Sequence, residues 1–492
     1  MAAAPAAGLP AWLFRACALL LIAVKVAYWL IAPPTEDEAY YWLWGQHLDL
    51  SYFDHSPMVG WAMGLAGRLL GWELFAVRLG NLVCLFGVAL VFRHWAKRLA
   101  AADWRRVFWA TLSVYLATPV IFAVTTLAWP DNWLLLFSFL ALHWFGCSFA
   151  AQIDEGRLAR RDLYLGALFL GLAALSKYNA VLLGSGIALT VLLTPRLRPL
   201  LRSPHLYLSA LLSVAVLAPI LLWNAQHDFL SLRFQLYERH GEGTFAAIHW
   251  GELARFLILS ALYASPFLLV PIAVLLIKRP GTGLLGALHR IGKPTVILSF
   301  LPSLYMALFV PTSPHWAITA LLVPVALAAW SFWSRWLLLA HLAFGTLLCV
   351  AAAGYYMHYA FVNFGGDGEA ARFYGWDQVG ARMRQLAAEQ GAATTLAAYR
   401  WEVTSKLGFA LRTTDVTSLA PSIDQFDFWR DEEALRGQDI VIVDEFGNGP
   451  AAFAPRFERV EVLEQFTVEL FGTPLASYPI LIGRDYRPQP RP

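Results

Sequence analysis

Charge is the scarcest commodity in this chain. Only 14% of its 492 residues are Asp, Glu, Lys or Arg, where a soluble globular protein carries roughly a quarter. The formal net charge of +3 is too small to mark a nucleic-acid surface. Cysteine is scarce as well: the 4 residues are Cys17, Cys84, Cys147 and Cys349, each inside an apolar run. They read as small buried residues and not as disulfide partners or metal ligands. There is no internal repeat and no glycine-rich loop of the kind that cradles a nucleotide phosphate. No small-residue cleavage site precedes the acidic segment at Glu36, so the first apolar run reads as a retained span and not as a signal peptide.

What the chain does have is hydrophobicity: 58% of its residues are apolar, and 21 are Trp. Such a tryptophan count suits two interfacial belts. Stretches of about 17–25 residues, long enough to cross a bilayer, recur near 11–31, 73–92, 107–125, 132–150, 162–177, 178–194, 206–223, 253–277, 294–311, 315–332 and 336–358. The expected fold is therefore a multi-pass α-helical membrane protein of about eleven spans.

The loops carry a second pattern. Arg93, Lys97, Arg98, Arg105 and Arg106 fall in one loop; Arg157, Arg160 and Arg161 in another. Arg196, Arg198 and Arg202 follow, then Lys278, Arg279, Arg290 and Lys293. The alternate loops are nearly free of cations. The positive-inside rule puts the first set, and the N-terminus, in the cytoplasm. The acidic segment, Asp131, Lys177, the 224–252 loop and the turn at Pro311–Trp316 then face outward.

Composition changes after about residue 360, where Gly365, Gly366 and Gly368 mark a linker. We expect a membrane domain over 1–360 and a small extracytoplasmic α/β domain over 361–492. Within it, 376–390 reads as an amphipathic helix. The segments 392–398, 439–444, 466–471 and 478–482 read as strands, and 487–492 as a disordered tail.

The densest chemistry follows the first span. Glu36, Asp37 and Glu38 are three adjacent carboxylates interleaved with Tyr40, Tyr41 and Trp42. Ionisable groups beside a bilayer are costly and tend to mark function. They suit a general base or a metal ligand; alternatively they complement a helix N-terminus, with Thr35 as its N-cap. Asp54 and His55 suit phosphate binding, proton sharing or a divalent metal shared with Asp37, or simply a turn before Pro57. Asp131 follows Pro130 at the outer end of a span and reads as a helix cap or a site residue. Lys177 suits a lipid-linked phosphate, or snorkels. Lys25 and Arg78 read as snorkelling or internally paired. Arg233 and Arg239 make the 223–241 loop the outer loop rich in cations, suited to phosphate. His315 lies at another outer turn.

These segments resemble a known family. Glu36–Trp42 followed by Tyr52–Pro57 looks like the first outer loop of bacterial GT-C glycosyltransferases of the PMT_2, or RgtA/B/C/D-like, group. Relatives of that group include protein O-mannosyltransferases and lipid A aminoarabinose transferases. Trp129-Pro130-Asp131, Leu175–Tyr178, Leu222–His227 and Pro314-His315-Trp316 follow in the family's order over roughly 30–320. The resemblance implies a polyprenyl-phosphate sugar as donor, used outside the inner membrane with inversion at the anomeric carbon. The acceptor is then a lipid, a glycan or a protein of the envelope, and the sugar a hexosyl or pentosyl unit. Asp37 matches the aspartate of the family's Asp-Glu pair and is the expected base, with Glu38 beside it. His55, Lys177, Arg233 and Arg239 are the expected partners of the donor phosphate, and Glu36, Asp54, Asp131 and His315 complete the site. The rival reading is a transporter or flippase of a lipid-linked substrate, which would place charges at mid-membrane.

Overall fold

The computed structural model describes residues 8–236, 247–332, 334–363, 365 and 368–488. In chain order the helices are α1 Ala11–Ile31, α2 Glu36–Gln46, α3 Met58–Leu70, α4 Leu74–Ala100, α5 Trp104–Ala117, α6 Pro119–Thr126, α7 Pro130–Glu155, α8 Arg160–Ser176 and α9 Ala180–Leu193. Then come α10 Pro204–Val216, α11 Ala218–Gln226, α12 Leu230–Leu236, α13 Trp250–Ala264, α14 Leu269–Ile277 and α15 Gly283–Met306. Short helical pieces run from Pro314 to Ser331, before the long helix Arg335–Met357. Contacts divide the chain into two compact units. One is built from the residues up to Ala27, His55–Val59 and Arg78–Ala353; the other from Tyr28–Asp54, Gly60–Val77 and the residues from Gly354 on.

The first unit is helical and apolar. Among the described residues, 4 helical runs are long and apolar enough to cross a membrane, or 7 when each bent pair counts as one. The run Leu74–Ala117 folds back on itself, because Phe92 of α4 lies 5.6 Å edge-on to Tyr115 of α5. Several expected spans are broken. Pro266 follows Ser265, whose φ is 72°, and the 253–277 segment bends there by 88°. Proline lacks the N–H that would continue the ladder. Residues 315–332 form short pieces and not one helix. The expected span at 294–311 begins earlier, since α15 starts at Gly283 and carries Pro294 and Pro302 inside it. Arg290 and Lys293, expected in a loop, therefore lie on that helix.

Helix α7 is the ruler of this unit. Pro130 starts it and Gly156, at φ 68°, ends it, a left-handed position that favours glycine. Its 26 residues span about 39 Å. The basic segments gather toward its C-terminal end: Arg98 donates to the Cys147 sulfur at 3.3 Å, Arg196 to the Ile153 carbonyl at 3.2 Å, and the Gly283 N–H to Asp154 at 2.7 Å. Lys25 does not snorkel, and among the described residues it pairs with no acid. It is fully buried, and its ammonium donates to the Phe122 carbonyl and to the Thr125 and Thr126 hydroxyls, each at 2.8 Å. Arg78 is likewise buried, 1% exposed, which excludes snorkelling.

The second unit carries a five-stranded sheet in the order β2-β1-β3-β5-β4. The strands are β1 Leu396–Ala398, β2 Val416–Ser418, β3 Ile440–Val443, β4 Phe457–Leu470 and β5 Thr473–Tyr486. Strands β2, β1 and β3 run parallel, while β5 is antiparallel to both β3 and β4. Strand β3 is buried along its whole length, as its unbroken Ile-Val-Ile-Val run requires. The expected strands at 466–471 and 478–482 are parts of the longer β4–β5 hairpin. Its turn places Phe471 and Gly472 at φ 54° and 73°, the two positive values of a tight hairpin turn. The expected helix at 376–390 is present as Trp376–Gln390. The core under the sheet includes Ala397, Ile440, Ile442, Phe457, Leu481 and Tyr486. Most of the expected tail, 489–492, lies outside the described residues.

Candidate active site

The acidic segment folds as its residue types dictate. Thr35 is the N-cap of α2: its hydroxyl accepts from the Glu38 N–H at 3.3 Å, and the Glu38 carboxylate accepts from the Thr35 N–H at 3.1 Å. This reciprocal box satisfies two N–H groups that a helix start leaves over. Glu38 is fully buried, so the carboxylate expected beside the base is committed to the helix start. Asp37 is half-buried in the first turn, where the helix dipole favours a carboxylate. Glu36, also half-buried, has its Oε2 enclosed with no hydrogen-bond partner. Glu402, in the first turn of the helix Trp401–Leu411, has an enclosed Oε2 of the same kind. Burial pushes the Glu402 carboxyl above the usual range, and the Glu36 charge adds to it.

Tyr40, one turn further along α2, is 2% exposed. Its hydroxyl donates to Asp54 Oδ2 at 2.5 Å and accepts from the Gln425 N–H at 3.1 Å. Its ring stacks on Trp401 at 4.6 Å. Burial first, then the Asp54 and Asp424 carboxylates, keep the phenol protonated far above its ordinary range. Asp424 is 4% exposed, and its Oδ2 is enclosed without a partner. All of these residues belong to the second unit.

The remaining candidates belong to the first unit. Lys177 Nζ lies 2.9 and 2.7 Å from the two carboxylate oxygens of Asp131, and both residues are buried. Asp131 occupies the first turn of α7, so the pair sits at the end opposite the basic segments. His315 lies beside it in chain terms through Trp129, whose ring is 5.6 Å away. Asn179 donates to the Trp316 carbonyl at 2.6 Å. Tyr178, next to Lys177, bonds Ser231 of α12 at 3.3 Å; Arg233 is exposed two residues further on. Sequence-distant expectations are thus brought together: Asp131, Lys177, His315 and the start of α12 meet at one end of α7. His55 is half-buried and also in this unit, while Asp54 belongs to the other. Arg239 lies outside the described residues.

Among the described residues, no group of three or more His, Cys, Asp and Glu side chains is placed to hold a metal ion. The divalent site left open for Asp37, Asp54 and His55 therefore has no such cluster behind it. Sequence reasoning missed Gln425, Asp424 and Glu402 altogether. No motif marks them, and they stand more than 360 residues from the α2 region they serve.

The chain thus joins a helical unit with membrane-length helices to a small sheet-bearing unit. Known proteins agree. Over 94% of the chain, the fold matches the crystal structure of ArnT from Cupriavidus metallidurans in the apo state, with a TM-score of 0.60, 15% identity and 97% of that chain covered. The same ArnT bound to undecaprenyl phosphate matches with a TM-score of 0.61 at 14% identity, again over 94% and 97% of the two chains. Residues 54–223 match the family model described as dolichyl-phosphate-mannose-protein mannosyltransferase. The chain is also 27% identical over 321 residues to the lipid A galacturonosyltransferase RgtD of Rhizobium johnstonii. That match spans 61% of this chain and 61% of the relative's length. The chain therefore shares the fold of ArnT, and residues 54–223 match the family that its sequence motifs resemble.

Proposed function

We propose that the protein is an integral membrane glycosyltransferase. It moves a hexosyl or pentosyl unit from a polyprenyl-phosphate donor to an envelope acceptor, whether lipid A, another glycan or a protein, with inversion. It sits in the bacterial inner membrane, crosses it about eleven times, and has a cytoplasmic N-terminus. The site and the 361–492 domain are periplasmic. The observation that carries this reading is the 27% identity to a lipid A galacturonosyltransferase, on a chain whose fold matches ArnT nearly end to end.

In the proposed reaction the acceptor oxygen attacks the anomeric carbon as the bond from that carbon to the lipid phosphate breaks. The proton leaves the acceptor for Asp37, a half-buried carboxylate in the first turn of a capped helix; general-base help of this kind contributes about 10²–10⁴-fold. Glu38 holds that helix start and Glu36 supports it. The electron pair stays on the departing polyprenyl phosphate. Cationic and hydrogen-bonding groups stabilise the charge that develops there, a part suited to Lys177, His55, Arg233 and Arg239. Asp131 holds the Lys177 ammonium in place, His315 lines the same end of α7, and Asp54 is the further acidic residue of the proposed site. No nucleotide takes part.

The test gives purified protein in lipid nanodiscs a panel of polyprenyl-phosphate hexoses, hexuronic acids and pentoses, with lipid A, a glycan and a peptide as acceptors. Transfer by the wild type and its loss in Asp37→Asn support the reading. Absence of transfer from every donor would overturn it. Undiminished transfer by Asp37→Asn would remove Asp37 as the base.

A further inference from the structure

We infer that the turn Asp424–Trp429 positions the Phe53–Asp54 end of the first polar loop, and that Tyr40 and Gln425 are positioning residues for Asp54; the catalytic consequence rests on the function proposed above.

A closed ring of bonds lies within the second unit. Tyr40 donates to Asp54 Oδ2 at 2.5 Å. The Phe53 N–H donates to Gln425 Oε1 at 2.7 Å, and the Gln425 N–H donates to Tyr40 Oη at 3.1 Å. Two adjacent loop residues are therefore gripped at two points by one glutamine and one tyrosine. Both gripping residues are at least 98% buried, where a hydrogen bond is strong and its loss leaves a group unsatisfied.

The grip is rigid because the turn is internally tied. The Phe426 N–H donates to Asp424 Oδ1 at 2.8 Å, and the Asp424 N–H to Asp427 Oδ2 at 2.9 Å. Arg430 then holds Asp427 at 2.7 Å and Glu432 through Nε at 2.7 Å. Aromatic packing surrounds the ring: Phe426 stacks on Tyr40 at 5.9 Å, Phe428 meets Phe53 at 5.9 Å, and Trp429 stacks on His47 at 4.6 Å. A scaffold built this tightly fixes one loop geometry, which is what a positioned reacting group requires. It also gives the sheet-bearing unit a task, namely to hold the first polar loop in its working shape.

The experiment uses the full-length protein with Tyr40→Phe, Gln425→Leu and the double variant. Phenylalanine keeps the stacked ring, and leucine keeps the buried volume. Hydrogen exchange of residues 48–57 is expected to quicken roughly ten-fold in each single variant, and hardly further in the double, because both break one ring. In transfer assays kcat is expected to fall roughly ten-fold while the donor KM stays within about two-fold. A merely structural role would lower the amount of active protein without that split. Unchanged exchange in 48–57 overturns the grip, whatever the assay shows. Quickened exchange with an unaltered kcat overturns the positioning role. If the wild type transfers no sugar at all, the proposed function fails, and the exchange arm still decides the grip by itself.

Discussion

Lys177 and Asp131 form a two-armed buried ion pair, with Nζ 2.9 Å from one carboxylate oxygen and 2.7 Å from the other. Their side chains are 9% and 1% exposed. Removing one partner strands a charge away from water, which costs about 3–5 kcal/mol, whereas replacing both by apolar side chains costs far less. Asp131→Ala and Lys177→Ala are each expected to lower the melting temperature in detergent sharply. The double variant Asp131→Leu/Lys177→Met is expected to recover most of it while remaining inactive in transfer. A single variant as stable as the wild type would show that the pair carries no burial penalty.

The acidic segment divides between chemistry and structure. Glu38 and Thr35 cap each other, so Thr35→Ala is expected to cost about 1 kcal/mol, and Glu38→Ala to destabilise as well. Asp37→Asn is expected to lower kcat by about 10²-fold or more. Melting curves and transfer rates measured on the same preparations separate the two effects. An Asp37→Asn protein that melts early but transfers normally would reverse the assignment.

This division was partly legible in the sequence, because it is local. The Pro33-Pro34-Thr35 entry, the first-turn acids and the buried β3 run are signals within a few residues, governed by capping and periodicity. The meeting of Asp131 and Lys177 at one end of α7 was legible at one remove, through loop charge. The packing of residues 28–54 and 60–77 with those from Gly354 on was not. Phe53 and Gln425 are joined by a single bond across 372 positions, and nothing near either residue foretells it. The broken helices at 217–218 and 265 were missed for a different reason. Hydropathy is blind to a bend, and the prolines at these breaks are also acceptable inside or at the start of a helix. Lys25 was misread because snorkelling is the commoner fate of a lysine near a span end; here three neighbouring oxygens satisfy its ammonium inside.

Asp424 is expected to make stability depend on pH. Burial, with the Asp427 charge and, less strongly, the Asp54 charge, pushes its carboxyl up to about 8, against about 3.9 for an unfolded aspartate. The folded chain therefore binds this proton more tightly than the unfolded chain. The stability it contributes is complete below pH of about 4 and is lost as the pH rises through about 8. Each proton held by the native state alone changes stability by about 1.4 kcal/mol per pH unit. Asp424→Asn, which mimics the protonated form, is expected to flatten the fall in melting temperature across that window. An identical pH dependence in the variant would show that Asp424 titrates normally.

Glu36 and Glu402 supply the opposite kind of prediction, a substitution that stabilises. Each has a carboxylate oxygen enclosed without a partner, and the Glu36 charge helps to raise the Glu402 carboxyl. Like charges held this way strain the native state whenever both are ionised. Glu36→Gln removes one of the two charges. Glu402 is raised above its unfolded value, so its penalty is absent in acid and grows as the pH rises. The variant is therefore expected to gain up to about 1 kcal/mol near pH 8 and almost nothing near pH 4, read from melting curves at the two values. A loss of stability at pH 8 would mean that Glu36 is held by an attraction that outweighs this repulsion. Transfer activity measured beside it then separates a supporting Glu36 from a catalytic one: a supporting residue leaves kcat within a few-fold, whereas a second base would lower it as steeply as Asp37→Asn.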